Sequence, residues 1–303
     1  MSPPQLLDTY AEAFDMRCTR LIVTAEDEHW LDSALRSLTG YAASVIACDA
    51  EVGVERRLSS DESPDGRPAA AVLCFGFSAS SLGKAVLQRV GQTVMTCPTT
   101  AVFNGWQDQA QRLPLGRSLR FFGDGYQKSK QLDGVRYWRV PVMDGEFLVV
   151  DELGVGRGIG GGNLIFQWSD PRDGLQAARA VVEALNDLPG IILPFPGGIA
   201  RSGSKVGSRY KGLVASTADA YCPTLRGRVE SALDQGANGC YEVVIDGVDT
   251  EAIRRAMRVG IEVLRRFPLV AIGAGNYGGR LGKHLFSLHE LAGGDVSADE
   301  SAI

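Results

Sequence analysis

Apolar runs of strand length alternate with stretches of helical spacing along most of the chain. Residues 20–25 predict a short strand, and residues 28–39 place Trp30, Ala34, Leu35 and Leu38 at helical spacing up to a stop at Gly40. Ser44–Cys48 predicts a second strand. After the turn-rich segment Ser63–Pro68 the order recurs, with a strand over 70–75, a helix over 80–90 and a strand over 93–96. The second half repeats it: a strand over 163–168, a helix over 174–185 and a strand over 191–194. A strand over 240–245 follows, then a helix over 249–266 with Ile253, Met257, Ile261 and Leu264 on one face, and a closing strand over 269–272. Between the halves, segments beginning at Arg120, Arg136 and Glu146 read as short strands. Two split β-α-β units in each half predict an α+β fold of two ferredoxin-like α/β sandwich lobes, with helices on one face of largely antiparallel sheets. The lobes are expected at 1–144 and 145–303, the second ending in a polar tail after Leu291.

Composition narrows the class. At 303 residues the chain is about twice the commonest domain size, and 45% hydrophobic residues suffice for a sizeable core. A net charge of −5 argues against a nucleic-acid binder, which needs a basic face. Neither a leader segment nor an apolar run of membrane-spanning length is apparent, so a cytoplasmic protein is expected. The six cysteines form no C-x-x-C pair, and several, such as Cys74, sit in apolar runs as small core residues. His29, His284 and His289 lack ligand spacing, and neither a Ser-His-Asp order nor an H-E-x-x-H is present. A covalent hydrolase or a metalloenzyme is therefore not expected.

Four segments carry candidate chemistry. The glycine run 154–162 leads into a predicted strand, whereas a dinucleotide-binding turn must open a helix. It reads as a connector whose N–H groups could hold an anion or an oxyanion. Residues 197–208 contain Gly-Ser-Lys, the wrong order for a P-loop, but offer Arg201, Ser202, Ser204, Lys205 and Ser208. Those groups suit phosphate or carboxylate, and they equally suit a solvated loop. Phe121–Tyr126 places Asp124 between two glycines. It is either a tight turn with Asp124 bonding its own backbone, or a site loop with Tyr126 over a flat ligand. Glu242 interrupts the apolar run Cys240–Ile245 and lies either on a solvated face or buried as a proton donor.

The segments Asp8–Phe14, Ser63–Pro68, Phe121–Gln127, Gly174–Ala178, Pro194–Ile199, Ser204–Ser208, Ala215–Thr224, Tyr241-Glu242 and 274–282 occur in order over nearly the whole chain. Together they resemble the formylmethanofuran–tetrahydromethanopterin formyltransferases. The resemblance implies transfer of a formyl group between N5 of tetrahydromethanopterin and the amine of a methanofuran-type carrier. Both carriers act as cosubstrates, with no metal, no tightly bound cofactor and no acyl-enzyme. It implies Glu242 as the catalytic acid, and Asp124, Tyr126, Arg201, Ser202, Ser204, Lys205 and Asn276 as substrate-binding residues. It also implies a homo-oligomer, a tetramer or dimer of dimers, with the cleft between subunits. The mild charge and the added tail point to the bacterial methylotroph branch, which works in a formyltransferase/hydrolase complex oxidising formaldehyde to formate. Two rivals are a catalytically silent structural subunit of such a complex and a direct deformylase. The intact Glu242 and glycine motifs speak against the first, and the lack of any device to activate water against the second.

Overall fold

The computed structural model describes residues 3–280 and 282–293. It resolves into two compact units. One comprises Asp15–Gly158 with Pro189–Pro194; the other comprises the segment ending at Phe14, Ile159–Leu188 and the chain from Phe195 onward. The boundaries fall inside two long strands, Tyr10–Thr24 and Glu152–Trp168.

In the first unit the strand ending at Thr24 lies between Ala69–Gly76 and Ala101–Asn104, antiparallel to both. Glu51–Leu58 pairs antiparallel with the outer edge of Ala69–Gly76. With the helices Glu28–Thr39 and Ala79–Arg89 this is a ferredoxin-like βαββαβ unit. Each helix begins where sequence chemistry allows. Asp27 accepts a hydrogen bond from Trp30 N at 3.0 Å, and Ser78 and Ser81 form a reciprocal capping box. Leu31, Leu35, Leu82 and Val86 meet Leu21, Val23, Val72 and Val102 in one core. Gly145–Val150, Val135–Val142 and Lys128–Leu132 extend the sheet beyond Ala101–Asn104.

In the second unit Ile159–Trp168 is flanked antiparallel by Gly239–Gly247 and Ala271–Gly273, and Gln5–Leu6 joins the latter in parallel. The helices Pro171–Asn186 and Thr250–Leu264 start at Asp170 and Asp249, whose side chains accept N–H groups of the first turn. Val181, Leu185, Ile253, Met257 and Leu264 pack with Leu164, Phe166, Val243 and Ile245, all fully buried.

Several expected strands differ. Ser44–Cys48 is a turn, with Ser44 O accepting from Ala47 N and Cys48 N, and the strand starts at Glu51 instead. The segment 93–96 continues the second helix as a π turn followed by a hydrogen-bonded turn; the hydroxyls of Thr93 and Thr96 bond to the carbonyls of Arg89 and Gln92. The segment starting at Arg120 is a 3₁₀ turn. The glycine run 154–162 is not a connector but the middle of a strand. Its glycines admit close neighbours: a methyl on Gly154 would collide with the Trp106 carbonyl, and Gly161 takes a φ of +92° at a bulge. Leu288–Gly293 is a short helix, and the expected polar tail from residue 294 onward lies outside the described residues.

Gly154→Ala is expected to lower stability by about 2 kcal/mol or more, because the collision is with backbone that cannot rotate away. Urea unfolding would measure this, and an unchanged midpoint would show that the strand yields freely.

Candidate active site

Along Gly239–Gly247, Tyr241, Val243 and Ile245 face the helices, so Cys240, Glu242 and Val244 face away from them. On that second face, loops from three parts of the sequence gather. Ala200 exchanges two main-chain hydrogen bonds with Glu242, Ala200 N to Glu242 O at 2.8 Å and Glu242 N to Ala200 O at 3.1 Å. This lays residues 200–205 beside the carboxyl: a methyl on Gly203 would stand 3.2 Å from Glu242 Oε2. Ala218 N in turn donates to Gly203 O at 2.8 Å, which brings the Asp219–Tyr221 turn alongside.

Desolvation pushes the Glu242 carboxyl up to about 7, and among the described residues no ion pair with a cation offsets it. Burial likewise raises the hydroxyls of Tyr221 and Tyr277, with the nearby Glu242 charge adding to each. The Cys240 thiol is pushed up to about 12 by burial and then by Glu242. Glu242 thus shares its pocket with two neutral phenols and a neutral thiol. The Ser204 hydroxyl faces Tyr277 and favours its ionised form, opposing the effect of burial.

Tyr277 belongs to the irregular segment after Gly273, which is held from below. Glu12, 1% exposed, accepts N–H groups from Tyr277 at 2.8 Å, Gly279 at 2.8 Å and Gly282 at 2.6 Å. Asn163 Oδ1 accepts from Gly275 N at 2.6 Å, and its Nδ2 donates to the carbonyls of Gly275 and Gly161. Thr9 Oγ1 accepts from Ala274 N at 2.9 Å.

The unit that holds Glu242 also carries Arg201, Ser202, Ser204, Lys205 and Asn276, all of them exposed. Lys205 forms an ion pair with Asp219, and this hydrogen bond holds the Asp219 carboxyl below the usual carboxylate range. Asn276 Oδ1 accepts from Gly278 N at 3.0 Å. Asp124 and Tyr126 belong to the other unit. There the segment forms a turn, one of the two alternatives, but with a different cap: Asp124 takes a left-handed φ of +48°, and Gln127 Oε1 caps Gly125 N at 2.9 Å. Tyr126 is 78% exposed beside the similarly exposed Phe121 and Phe122.

Sequence reading missed Glu12 and Asn163. Glu12 carried the signal that singled out Glu242, a lone acid between buried apolar neighbours Ala11 and Ala13. A groove of about 450 Å³ lined by Leu175, Arg179, Val182 and Tyr241 lies on the helix side of the strand, away from the Glu242 carboxyl. Among the described residues no helix is long and apolar enough to cross a membrane.

Residues 4–142 match the family model described as formylmethanofuran-tetrahydromethanopterin formyltransferase, and residues 145–291 match the model of its proximal lobe. A formylmethanofuran–tetrahydromethanopterin formyltransferase of Rhodopirellula baltica is 50% identical over 97% of this chain and 93% of its own length. The crystal structure of the formyltransferase/hydrolase complex from Methylorubrum extorquens, in complex with methylofuran, contains a chain that superposes with a TM-score of 0.91 at 47% identity, covering 94% of this chain and 96% of that one. The formyltransferase from Methanosarcina barkeri superposes with a TM-score of 0.90 at 42% identity, over 95% and 98% of the two chains. With both halves matched and near-full-length relatives at this identity, the chain belongs to the formylmethanofuran–tetrahydromethanopterin formyltransferase family.

Proposed function

We propose that the Glu242 site passes a formyl group between N5 of tetrahydromethanopterin and the amine of a methanofuran-type carrier, with Glu242 as the proton donor. The chain is an acyltransferase by family. The observation supporting the acid role is a carboxyl lying 3.2 Å from where a Gly203 methyl would stand and shifted to about 7 by desolvation. Such a group is largely protonated just below neutral pH and ionises within reach of it, as a general acid requires. The incoming amine attacks the formyl carbon and a tetrahedral oxyanion forms. Its collapse breaks the old C–N bond while Glu242 protonates the departing nitrogen. The resulting carboxylate recovers a proton from the newly bonded amine, so the cycle closes without a cofactor.

Arg201, Ser202, Ser204, Lys205 and Asn276 are proposed to hold polar and acidic groups of a carrier, and Asp124 and Tyr126 to contact a flat one. We further propose that the chain forms a homo-oligomer in the cytoplasm and works beside hydrolase subunits that release formate, in the oxidation of formaldehyde. The relative in Methylorubrum extorquens is a subunit of such a complex, which supports this. The division into lobes 1–144 and 145–303 is proposed as well, supported by family models that match 4–142 and 145–291. A silent structural subunit would have no need of an uncompensated carboxyl.

Glu242→Gln is expected to lower turnover about 10²–10⁴-fold with little change in KM, since it removes the proton but keeps the shape. The wild-type rate should fall as pH rises through about 7, because the donor must be protonated, and the Gln variant should lose that limb. Near-normal turnover would remove Glu242 from the mechanism.

Stability should follow the same group. Its folded pKa lies above its unfolded value, so the folded state binds more protons and wild-type stability falls as pH rises from about 4.5 towards 7. The Gln variant should lack that fall and gain on wild type up to pH 8 in denaturant melts. Parallel curves for the two proteins would contradict the buried, unpaired reading.

Lys205→Ala should raise the KM of at least one carrier severalfold. Stability should be nearly unaffected, because an exposed pair such as Lys205–Asp219 is screened by solvent and contributes little to folding. Unchanged KM values for both carriers would leave the pair a surface feature.

A further inference from the structure

We infer that Glu12 is a positioning residue of the catalytic centre, holding the segment that carries Tyr277 in register beside Glu242. The inference rests on the Glu242 reading above and adds to it a residue about 230 positions away in sequence. One carboxylate accepts three backbone N–H groups, from Tyr277, Gly279 and Gly282, at 2.6–2.8 Å. It does so at 1% exposure.

Residues 274–280 have no helix or strand of their own. A segment this rich in glycine loses much conformational entropy when ordered, and the local Gly278 N to Asn276 Oδ1 hydrogen bond of 3.0 Å offsets only a small part of it. The compensation comes from below. Thr9 takes the N–H of Ala274, Asn163 takes that of Gly275, and Glu12 takes those of Tyr277, Gly279 and Gly282. A charged acceptor gives shorter, stronger bonds than a carbonyl, and a planar carboxylate serves several donors that a strand edge could not reach together. Only two of the three bonds fall on one oxygen: Tyr277 and Gly279 share Oε2, and Gly282 takes Oε1. The clamp therefore fixes the orientation of the segment as well as its height. What it orients is Tyr277, whose hydroxyl faces Ser204 and feels the charges of both Glu242 and Glu12.

Three measurements on the full chain decide this: amide hydrogen exchange, kcat with KM for both carriers, and carrier binding. In Glu12→Gln, exchange should rise at Tyr277, Gly279 and Gly282 while the cores of both units keep wild-type protection. The kcat should fall about 10- to 100-fold, as misplacement by an ångström can cause, with KM changing less than about threefold. A purely structural role would raise exchange everywhere and scale kcat only with the folded fraction. A loosened segment with wild-type kcat would overturn the proposal, as would a fall in kcat with unchanged exchange there. If Glu12→Gln does not fold, Thr9→Val removes only the acceptor for Ala274 and is read by the same criteria. Should wild type itself transfer no formyl group, the proposed function fails. The clamp then stands or falls on whether the loosened segment changes carrier binding.

Discussion

A carboxyl group held away from water without a cation beside it is costly, and the Glu242 pocket is organised around that cost. An ionised Glu242 at neutral pH would need an ion pair or several donors. The pocket supplies instead two phenols, a thiol and the close backbone of Gly203, so the neutral acid is favoured. Lys205 is not brought in to neutralise it; Asp219 occupies that cation. The carboxyl therefore titrates near neutrality and carries a transferable proton below it, which is what the proposed chemistry needs.

Such a pocket must be assembled from backbone that has little structure of its own. Two devices do this on the strand face opposite the helices. The Ala200–Glu242 bridge extends the sheet by one residue pair and stops, leaving Gly203 to pass close to the acid. The buried side chains of Glu12 and Asn163 then take the place of a neighbouring strand for the segment after Gly273. Two acids, Glu12 fully buried and Glu242 half-buried, thus have opposite assignments. Glu12 is saturated with backbone donors and serves as a fixed anchor. Glu242 is starved of them and titrates near neutrality.

The glycines divide along the same lines. In the long strand Glu152–Trp168 they exist for close approach, as where the Trp106 carbonyl lies on Gly154. The run looked like a loop because glycine lowers every local preference for a strand. Its strand conformation follows from pairing on both sides, with Gly239–Gly247 and Gln111–Pro114 among the partners.

By itself the sequence determined the layered α+β architecture, the helix positions and the family. Helical spacing in 28–39 and 249–266, their Asp caps and long apolar strands such as 69–76 are local signals that burial only reinforces. It also marked Glu242, because an acid in an apolar run is anomalous at sequence level. Tertiary structure decided whatever depended on a partner distant in the chain. Ser44–Cys48 is apolar enough for a strand but has no pairing edge among the described residues, and 93–96, with the β-branched Thr93, Val94 and Thr96, continues a helix whose carbonyls the two threonines cap. Whether Glu242 was solvated or buried, whether Lys205 was free or paired, and why Glu12 exists could not be read from neighbours in sequence. Each depends on a group more than ten residues away, and the energies that settle it, desolvation and buried hydrogen bonding, arise only when those groups meet.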